Sequence, residues 1–190
     1  MRRILVLILL AALMSPAWAD EAAAWAALRS GRAVVALMRH ADAPGAGDPP
    51  GWRLDDCSTQ RNLSAQGRAD ARAVGDRFRA EGIRVAKVLS SPWCRCIDTA
   101  KLMNLGPVQI APTFSNAFML SEQRAALTDG ARSLIAAWRG PGTLLVVTHG
   151  SNIQALIGRN PASGETVVVT MRADGNLHEL GSLLVPTARQ

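Results

Sequence analysis

The chain has 190 residues, a length typical of a single globular domain of about 100–200 residues. Hydrophobic residues make up 48% of it and charged residues 19%, which excludes an intrinsically disordered chain. The formal net charge of +6 comes mainly from dispersed arginines, and tyrosine is absent, so a basic, aromatic-rich nucleic-acid-binding surface is not expected.

The first 19 residues have the pattern of a cleaved signal peptide. Arg2 and Arg3 give a positive start, an apolar run of about eleven residues follows, and an Ala-x-Ala pattern ends at Ala19. The run is shorter than the roughly 20 residues of a membrane-spanning helix, so an uncleaved anchor is the less favoured alternative. We predict a mature, exported, periplasmic chain of residues 20–190 that forms one domain without stable membrane insertion.

The mature chain alternates between strand-like and helical patterns. A strand is predicted over residues 32–40, then a loop over 41–62 that is rich in Gly, Pro and Asp, then a helix that Ser64 caps and that ends at Gly82. Further along, the pattern predicts a strand at 85–91, helices at 95–104 and 128–140, a strand at 143–150, a short helix at 151–158, and a hairpin with strands at 165–172 and 177–184. This order predicts an α/β fold, a three-layer sandwich with a mostly parallel central sheet, helices on both faces and an antiparallel edge.

Polar side chains follow the three long strands where each one ends. Arg39 and His40 end the first, Ser90 and Ser91 the second, and His149 the third. Because ligands of such sheets bind beyond the carboxyl ends of the strands, we expect these residues to converge on one site.

The residue types at these strand ends suit phosphoryl transfer. A neutral imidazole such as that of His40 can accept a phosphoryl group as a nucleophile. The phosphoryl oxygens stay negatively charged throughout, and Arg39, Arg95 and His149 are candidates to stabilise them. Taken singly, each of these residues could equally be a structural residue whose hydrogen bonds are satisfied within the fold, but the combination favours a site.

Four stretches in chain order, LMRHA, NLSAQGRADA, SSPWCRCIDTA and VVTHGSN, resemble the landmarks of the histidine phosphatase superfamily, phosphoglycerate mutase-like branch. The resemblance spans about residues 34–157. It implies that His40 is the phosphorylated nucleophile, that Arg39 and Arg95 bind the phosphoryl group, and that His149 completes the pocket and supports the transition state.

The resemblance also gives Ser64 and Gly67 a structural role at the start of a helix. Two departures from the family pattern matter: the residue that follows the first histidine, and the proton donor, which no motif places. Ala41 stands where the first histidine is usually followed by glycine, and Gly150 follows the second histidine where the acid phosphatase and phytase branch has aspartate, which disfavours that branch.

The proton donor for the leaving group cannot be placed by motif. Glu122 lies where the mutase-like branch carries its glutamate, and Glu165 begins a strand that we expect to run beside the strand of His149. Glu165 is slightly favoured and Asp48 is a third candidate, although glutamates are most often exposed surface residues.

The loop over residues 41–62 is expected to select the substrate. Arg61 and Asn62, together with Arg53 and Gln60, carry hydrogen-bonding groups suited to a phosphorylated sugar, or they only tie down the loop. Trp52 is either a stacking residue or a core anchor.

The three cysteines allow one disulfide in an exported protein. Cys57 pairs with Cys94 or with Cys96, and Cys94 is favoured. The C-x-C spacing without a nearby histidine is a poor zinc pattern, so no metal site and no cofactor are expected.

The resemblance and the predicted export together imply a metal-independent phosphomonoester hydrolase that acts through a phosphohistidine. Its expected partner is a phosphorylated small molecule or glycan, such as the phosphorylated heptose of lipopolysaccharide core. A mutase is less favoured because phosphoglycerates are cytosolic. A non-catalytic phosphate or phospho-sugar binding module and a disulfide-linked envelope protein are the alternatives.

Overall fold

The computed structural model describes residues 16–186, apart from the side chains of residues 16–19. The strands within this range are β1 (Val34–Arg39), β2 (Val85–Ser90), β3 (Val108–Ile110), β4 (Thr143–Thr148), β5 (Thr166–Met171) and β6 (Leu177–Leu183). The α-helices are α1 (Pro16–Arg29), α2 (Ala65–Ala80), α3 (Cys94–Met103), α4 (Arg124–Ala136) and α5 (Gly150–Ile157).

The six strands form one sheet in the order β3-β2-β4-β1-β5-β6. β1, β2, β3 and β4 are parallel, while β5 pairs antiparallel with β1 and β6 antiparallel with β5. The mostly parallel sheet with an antiparallel edge is confirmed. In the β1–β4 pairing Arg39 lies beside Thr148, and in the β2–β4 pairing Ser90 lies beside Val147, so three strands end together.

Alternating side chains of β1 contribute to two hydrophobic cores, one on each face of the sheet. Ala36 and Met38 pack in the core covered by α1, α2 and α3. Val35 and Leu37 pack in the core covered by α4 and α5. Helices therefore lie on both faces, as predicted, and the buried sheet fixes where its strand ends project.

The structure differs from the predicted elements in three places. Helix α1 and the three-residue β3 were not predicted, and α4 begins and ends four residues earlier than expected. Past α4 the chain leaves the helix, and the indole Nε1 of Trp138 donates to the carbonyl oxygen of Gly142 at 3.3 Å. The expectation that β5 runs beside β4 is wrong, because both neighbours of β4 are already taken by β1 and β2.

The predicted signal peptide, residues 1–19, falls mostly on residues 1–15, which lie outside the described residues, and it stays a prediction. Helix α1 runs across the predicted cleavage point after Ala19. None of the helices between residues 16 and 186 is long and apolar enough to cross a membrane.

Candidate functional site

The two strand-end histidines meet at one edge of the sheet, as the sequence predicts. The ring centroids of His40 and His149 are 5.5 Å apart, with the rings nearly perpendicular. Both rings border a cleft of about 340 Å³. The cleft is lined by Arg39, His40, Gly45, Ala46, Gly47, Arg61, Asn116, Phe118, His149, Gly150, Ser151, Gln154 and Asn160.

His40 carries a buried, neutral imidazole with a free Nε2 lone pair. Its ring is buried, and Nδ1 lies 2.8 Å from the carbonyl oxygen of Ala41. A carbonyl oxygen only accepts, so Nδ1 carries the proton and Nε2 keeps its lone pair. Burial lowers the pKa of His40 to about 3, and although the bond to Ala41 opposes this, the positive charges of Arg95, Arg61 and Arg39 add to it. The neutral ring, protonated at Nδ1 only, therefore persists at neutral and mildly acidic pH.

His149 lies deeper, between β4 and α5. Its Nε2 is 2.8 Å from the hydroxyl of Ser91 and 3.6 Å from the thiol sulfur of Cys96, and the ring of Trp93 packs edge-on against it. Burial is the main cause that holds the pKa of His149 well below its usual value, and the positive charges of the nearby arginines act in the same direction. His149 is therefore a neutral hydrogen-bonding group.

Two guanidinium groups line the cleft. Arg39 donates to the carbonyl oxygen of Pro161 at 2.9 Å, and Arg61 donates to the carbonyl oxygens of Ala43 and, at 3.0 Å, Gly45. Burial lowers the pKa of both arginines. Guanidinium groups nevertheless stay charged in proteins, so the cleft presents two fixed cations to an anion.

The start of α5 adds backbone donors to the same cleft. Gly150 and Ser151 are its first two residues, and the first N–H groups of a helix have no acceptor within the helix. A side chain at position 150 would require Asn160 to move, since a Cβ there would lie 2.1 Å from Oδ1 of Asn160 and 3.3 Å from Cδ of Arg39. Glycine therefore lets the helix end approach the arginine.

Arg95 lies behind the cleft and does not line it. Its fully buried guanidinium pairs with Asp48, Nη1 to Oδ1 at 2.8 Å and Nη2 to Oδ2 at 3.3 Å. Asp48 also accepts from the indole Nε1 of Trp93 at 2.9 Å and the backbone N–H of Arg61 at 2.9 Å. Burial alone would raise the pKa of Asp48, but these bonds hold it below its usual value. Asp48 thus stays ionised, which makes it a poor proton donor.

Neither glutamate proposed as the proton donor lines the cleft. The buried carboxylate of Glu165 accepts from Nη1 of Arg159 at 2.7 Å and from the backbone N–H of Ala162 at 2.7 Å. Glu122 is exposed, in a 3₁₀ turn before α4. No carboxylate is found among the cleft-lining residues of the described chain, so the identity of the donor stays open.

Comparison with known protein families gives one match. Residues 35–119 match the model of the histidine phosphatase superfamily, branch 1. Over this segment the chain is similar to the histidine phosphatase superfamily. The segment contains the first three of the four stretches that carried the resemblance in the sequence, with His40 and Arg95. No curated protein matches the chain.

Solved structures of phosphatases share the fold. The protein histidine phosphatase SixA complexed with tungstate has 19% identity and a TM-score of 0.51, covering 79% of this chain and 96% of SixA. Phosphoserine phosphatase from Entamoeba histolytica, in complex with 3-phosphoglyceric acid, has 13% identity and a TM-score of 0.56, covering 79% and 96%. The mycobacterial glucosyl-3-phosphoglycerate phosphatase has 15% identity and a TM-score of 0.55, covering 78% and 96%. At these identities the likeness is one of fold.

The long loop over residues 41–62 is tied to α3 next to the site. A disulfide joins Cys57 to Cys94, the favoured pairing, and leaves Cys96 buried with a free thiol. Gln60 accepts from the backbone N–H of Cys94 at 3.0 Å, and Asn62 donates to the carbonyl oxygen of Cys57 at 2.6 Å.

Of the loop residues predicted to contact the substrate, only Arg61 lines the cleft. Arg53 bonds to acidic residues of its own turn, and Trp52 packs on Trp93 with the ring centroids 5.2 Å apart. Ser64 accepts from the backbone N–H of Gly67 at 2.9 Å, which confirms that it caps α2.

Several cleft residues were missed by sequence reasoning. Asn116 and Phe118 come from the irregular segment before α4, Gln154 from α5, and Asn160 from the turn before β5. That segment has no periodic pattern to show which side chains face inward. In α5, Gly150 was noticed because it follows the second histidine, but nothing distinguished Gln154 from an ordinary surface residue.

Proposed function

We propose that this protein is a phosphomonoester hydrolase that works without a metal and carries the phosphoryl group on His40. The observation that carries the proposal is the state of His40 itself. It is buried and neutral, its Nδ1 proton is fixed by Ala41, and it shares one cleft with two arginines and a second histidine. Such an imidazole suits a nucleophile better than a structural residue.

The proposed reaction has two steps. First, the lone pair on Nε2 of His40 attacks phosphorus while the bond to the leaving oxygen breaks, and that oxygen keeps the electron pair and takes a proton. Arg39, Arg61, His149 and the start of α5 hold the other phosphoryl oxygens. Second, a water oxygen attacks phosphorus, the phosphorus–nitrogen bond breaks, and its electron pair returns to Nε2. A proton of that water passes to solvent, which restores the neutral imidazole.

The outer part of the cleft supports a phosphorylated sugar as substrate. Phe118 is 60% exposed there, and Gln154 and Asn160 carry amide groups beside it. An aromatic face and free amides suit a neutral ring bearing hydroxyl groups. One of the similar structures is named for a glucosyl-3-phosphoglycerate substrate. With the predicted export, a phosphorylated heptose of lipopolysaccharide core is our candidate.

A phosphohistidine on a protein is a second candidate substrate. SixA, one of the similar structures, is named as a protein histidine phosphatase. The observation favouring this candidate is that no carboxylate lines the cleft within residues 16–186. An imidazole leaving group can take its proton from solvent before the phosphorus–nitrogen bond breaks, so it depends less on an acid supplied by the enzyme.

Export to the periplasm remains part of the proposal. The Cys57–Cys94 disulfide supports it, because such bonds persist in oxidising compartments. Cell fractionation with N-terminal sequencing of the mature protein tests it, and a mature chain that begins at Asp20 is the expected result. A cytosolic chain that retains Met1 would overturn it.

The activity is tested by hydrolysis of an aryl phosphate, with and without a chelator, by the native protein, His40→Asn and His178→Asn. His178 lies in β6, where it bonds to Arg172 and not in the cleft, so it is the matched control. We expect turnover that resists the chelator, survives in His178→Asn and is lost in His40→Asn. Phosphate binding without turnover of any phosphomonoester would instead favour the non-catalytic binding module.

A further inference from the structure

A buried serine lies against the second histidine of the site. Ser91 follows β2, and its side chain is fully buried, with Oγ 2.8 Å from Nε2 of His149. Its backbone N–H donates to the carbonyl oxygen of Val147 at 2.9 Å, which fixes Ser91 to the neighbouring strand. The hydroxyl therefore meets the ring from a rigid position.

The hydrogen bonds around the hydroxyl decide the direction of this contact. The backbone N–H of Trp93 donates to Oγ of Ser91 at 3.4 Å, which occupies a lone pair of the oxygen. The hydroxyl proton then needs an acceptor, because a buried donor without a partner is energetically unfavourable. Nε2 of His149, 2.8 Å away, is the stronger acceptor within reach among the described residues. The Cys96 sulfur, which contacts Ser91 and lies 3.6 Å from Nε2 and 3.9 Å from Nδ1 of His149, is a weak acceptor, and its thiol can also act as a donor.

The opposite arrangement is less favourable. If Nε2 of His149 carried the proton and donated to Ser91, the serine oxygen would receive two donors, and its own proton would be left with the Cys96 sulfur, a weak acceptor. No carboxylate contacts the ring of His149 within the described part of the chain. The hydrogen-bond count therefore favours a proton on Nδ1.

We infer that Ser91 is a positioning residue that holds His149 as the Nδ1–H tautomer, so that Nδ1–H becomes its donor to the transferring phosphoryl group. Ser91 does not touch the substrate and acts through the ring. The catalytic part of this inference rests on the proposed phosphatase function, whereas the tautomer itself does not. The tautomer assignment and the catalytic role can therefore be refuted separately.

Nitrogen-15 NMR of the histidine rings tests the tautomer directly. The chain has 3 histidines, so the spectrum is simple and can be assigned with His40→Asn and His178→Asn. The native protein should show His149 with a protonated Nδ1 and an unprotonated Nε2. Ser91→Ala should lose this single tautomer. Ser90→Ala is the matched control, because the Ser90 hydroxyl donates to the carbonyl oxygen of Ser91 and not to His149.

Kinetics test the catalytic part. Ser91→Ala should lower kcat for aryl phosphate roughly 10- to 100-fold with little change in KM, and Ser91→Thr, which keeps the hydroxyl, should recover most of it. An Nε2-protonated His149 in the native protein would overturn the inference, whether or not any variant folds. An unchanged tautomer in folded Ser91→Ala would also overturn it. The expected tautomer in a protein without turnover would instead refute the phosphatase proposal and leave the tautomer assignment standing.

Discussion

Acid should destabilise the fold through His40. The ring is 2% exposed and its pKa is lowered to about 3 in the folded protein, against about 6.5 in an unfolded chain. Below pH 6.5 the unfolded chain therefore binds a proton that the folded protein does not, and stability falls as the pH drops from 6.5 toward 3. Between pH 7 and pH 5 this amounts to about 2 kcal/mol for His40 alone, and burial of His149 acts in the same direction.

The assay is urea denaturation of the native protein and of His40→Asn at pH 7 and pH 5. Asparagine keeps a donor near the position of Nδ1 but does not titrate, and the carboxylates titrate in both proteins. The native protein should lose about 2 kcal/mol more unfolding free energy than the variant between the two pH values. An equal loss in both proteins would refute the reasoning, because it would mean that the folded state accepts a proton on His40.

Three further predictions concern the surroundings of the site. Cys57→Ser should lower the free energy of unfolding by up to about 4 kcal/mol, because the disulfide spans 37 positions of the chain, and denaturation with and without reductant measures the loss. A variant as stable as the oxidised native protein would contradict this. Gly150→Ala should lower kcat/KM for aryl phosphate by at least about tenfold through its clash with Asn160, and Gly150→Ala combined with Asn160→Gly should recover part of it. If the double variant recovers no activity, the clash with Asn160 is not the cause of the loss. Glu165→Gln should destabilise the fold by about 1–3 kcal/mol through its bond to Arg159, yet leave the ratio of alkyl to aryl phosphate turnover unchanged. A selective loss of alkyl phosphate turnover would instead identify Glu165 as the proton donor.

The fold and the central pair of histidines could be predicted from local sequence. Each strand that carries the site is a short apolar run, and its last residues are polar. Parallel strands end at one edge, so His40 and His149 had to meet once the strands were recognised. The hairpin of β5 and β6 could also be predicted. The strand beside it could not, because no local pattern indicates that β5 pairs with β1.

The partners of the charged side chains could not be predicted. Nothing in the sequence shows which of Arg95 and Arg61 pairs with a carboxylate. The path of the loop places Asp48 against Arg95, and Arg61 lines the cleft. Glu165 was placed correctly at the start of a strand near the site. Its carboxylate accepts a hydrogen bond from Arg159, and this contact depends on how the turn between α5 and β5 packs.

Trapping the covalent intermediate tests the central claim most directly. The native protein is mixed with aryl phosphate, quenched within one turnover under alkaline conditions that preserve phosphohistidine, and examined by peptide mass spectrometry. The proposed mechanism predicts a phosphoryl group on His40, absent from His40→Asn and still present in His178→Asn. Turnover without any phosphoryl group on His40, or with the group on another residue, would contradict it.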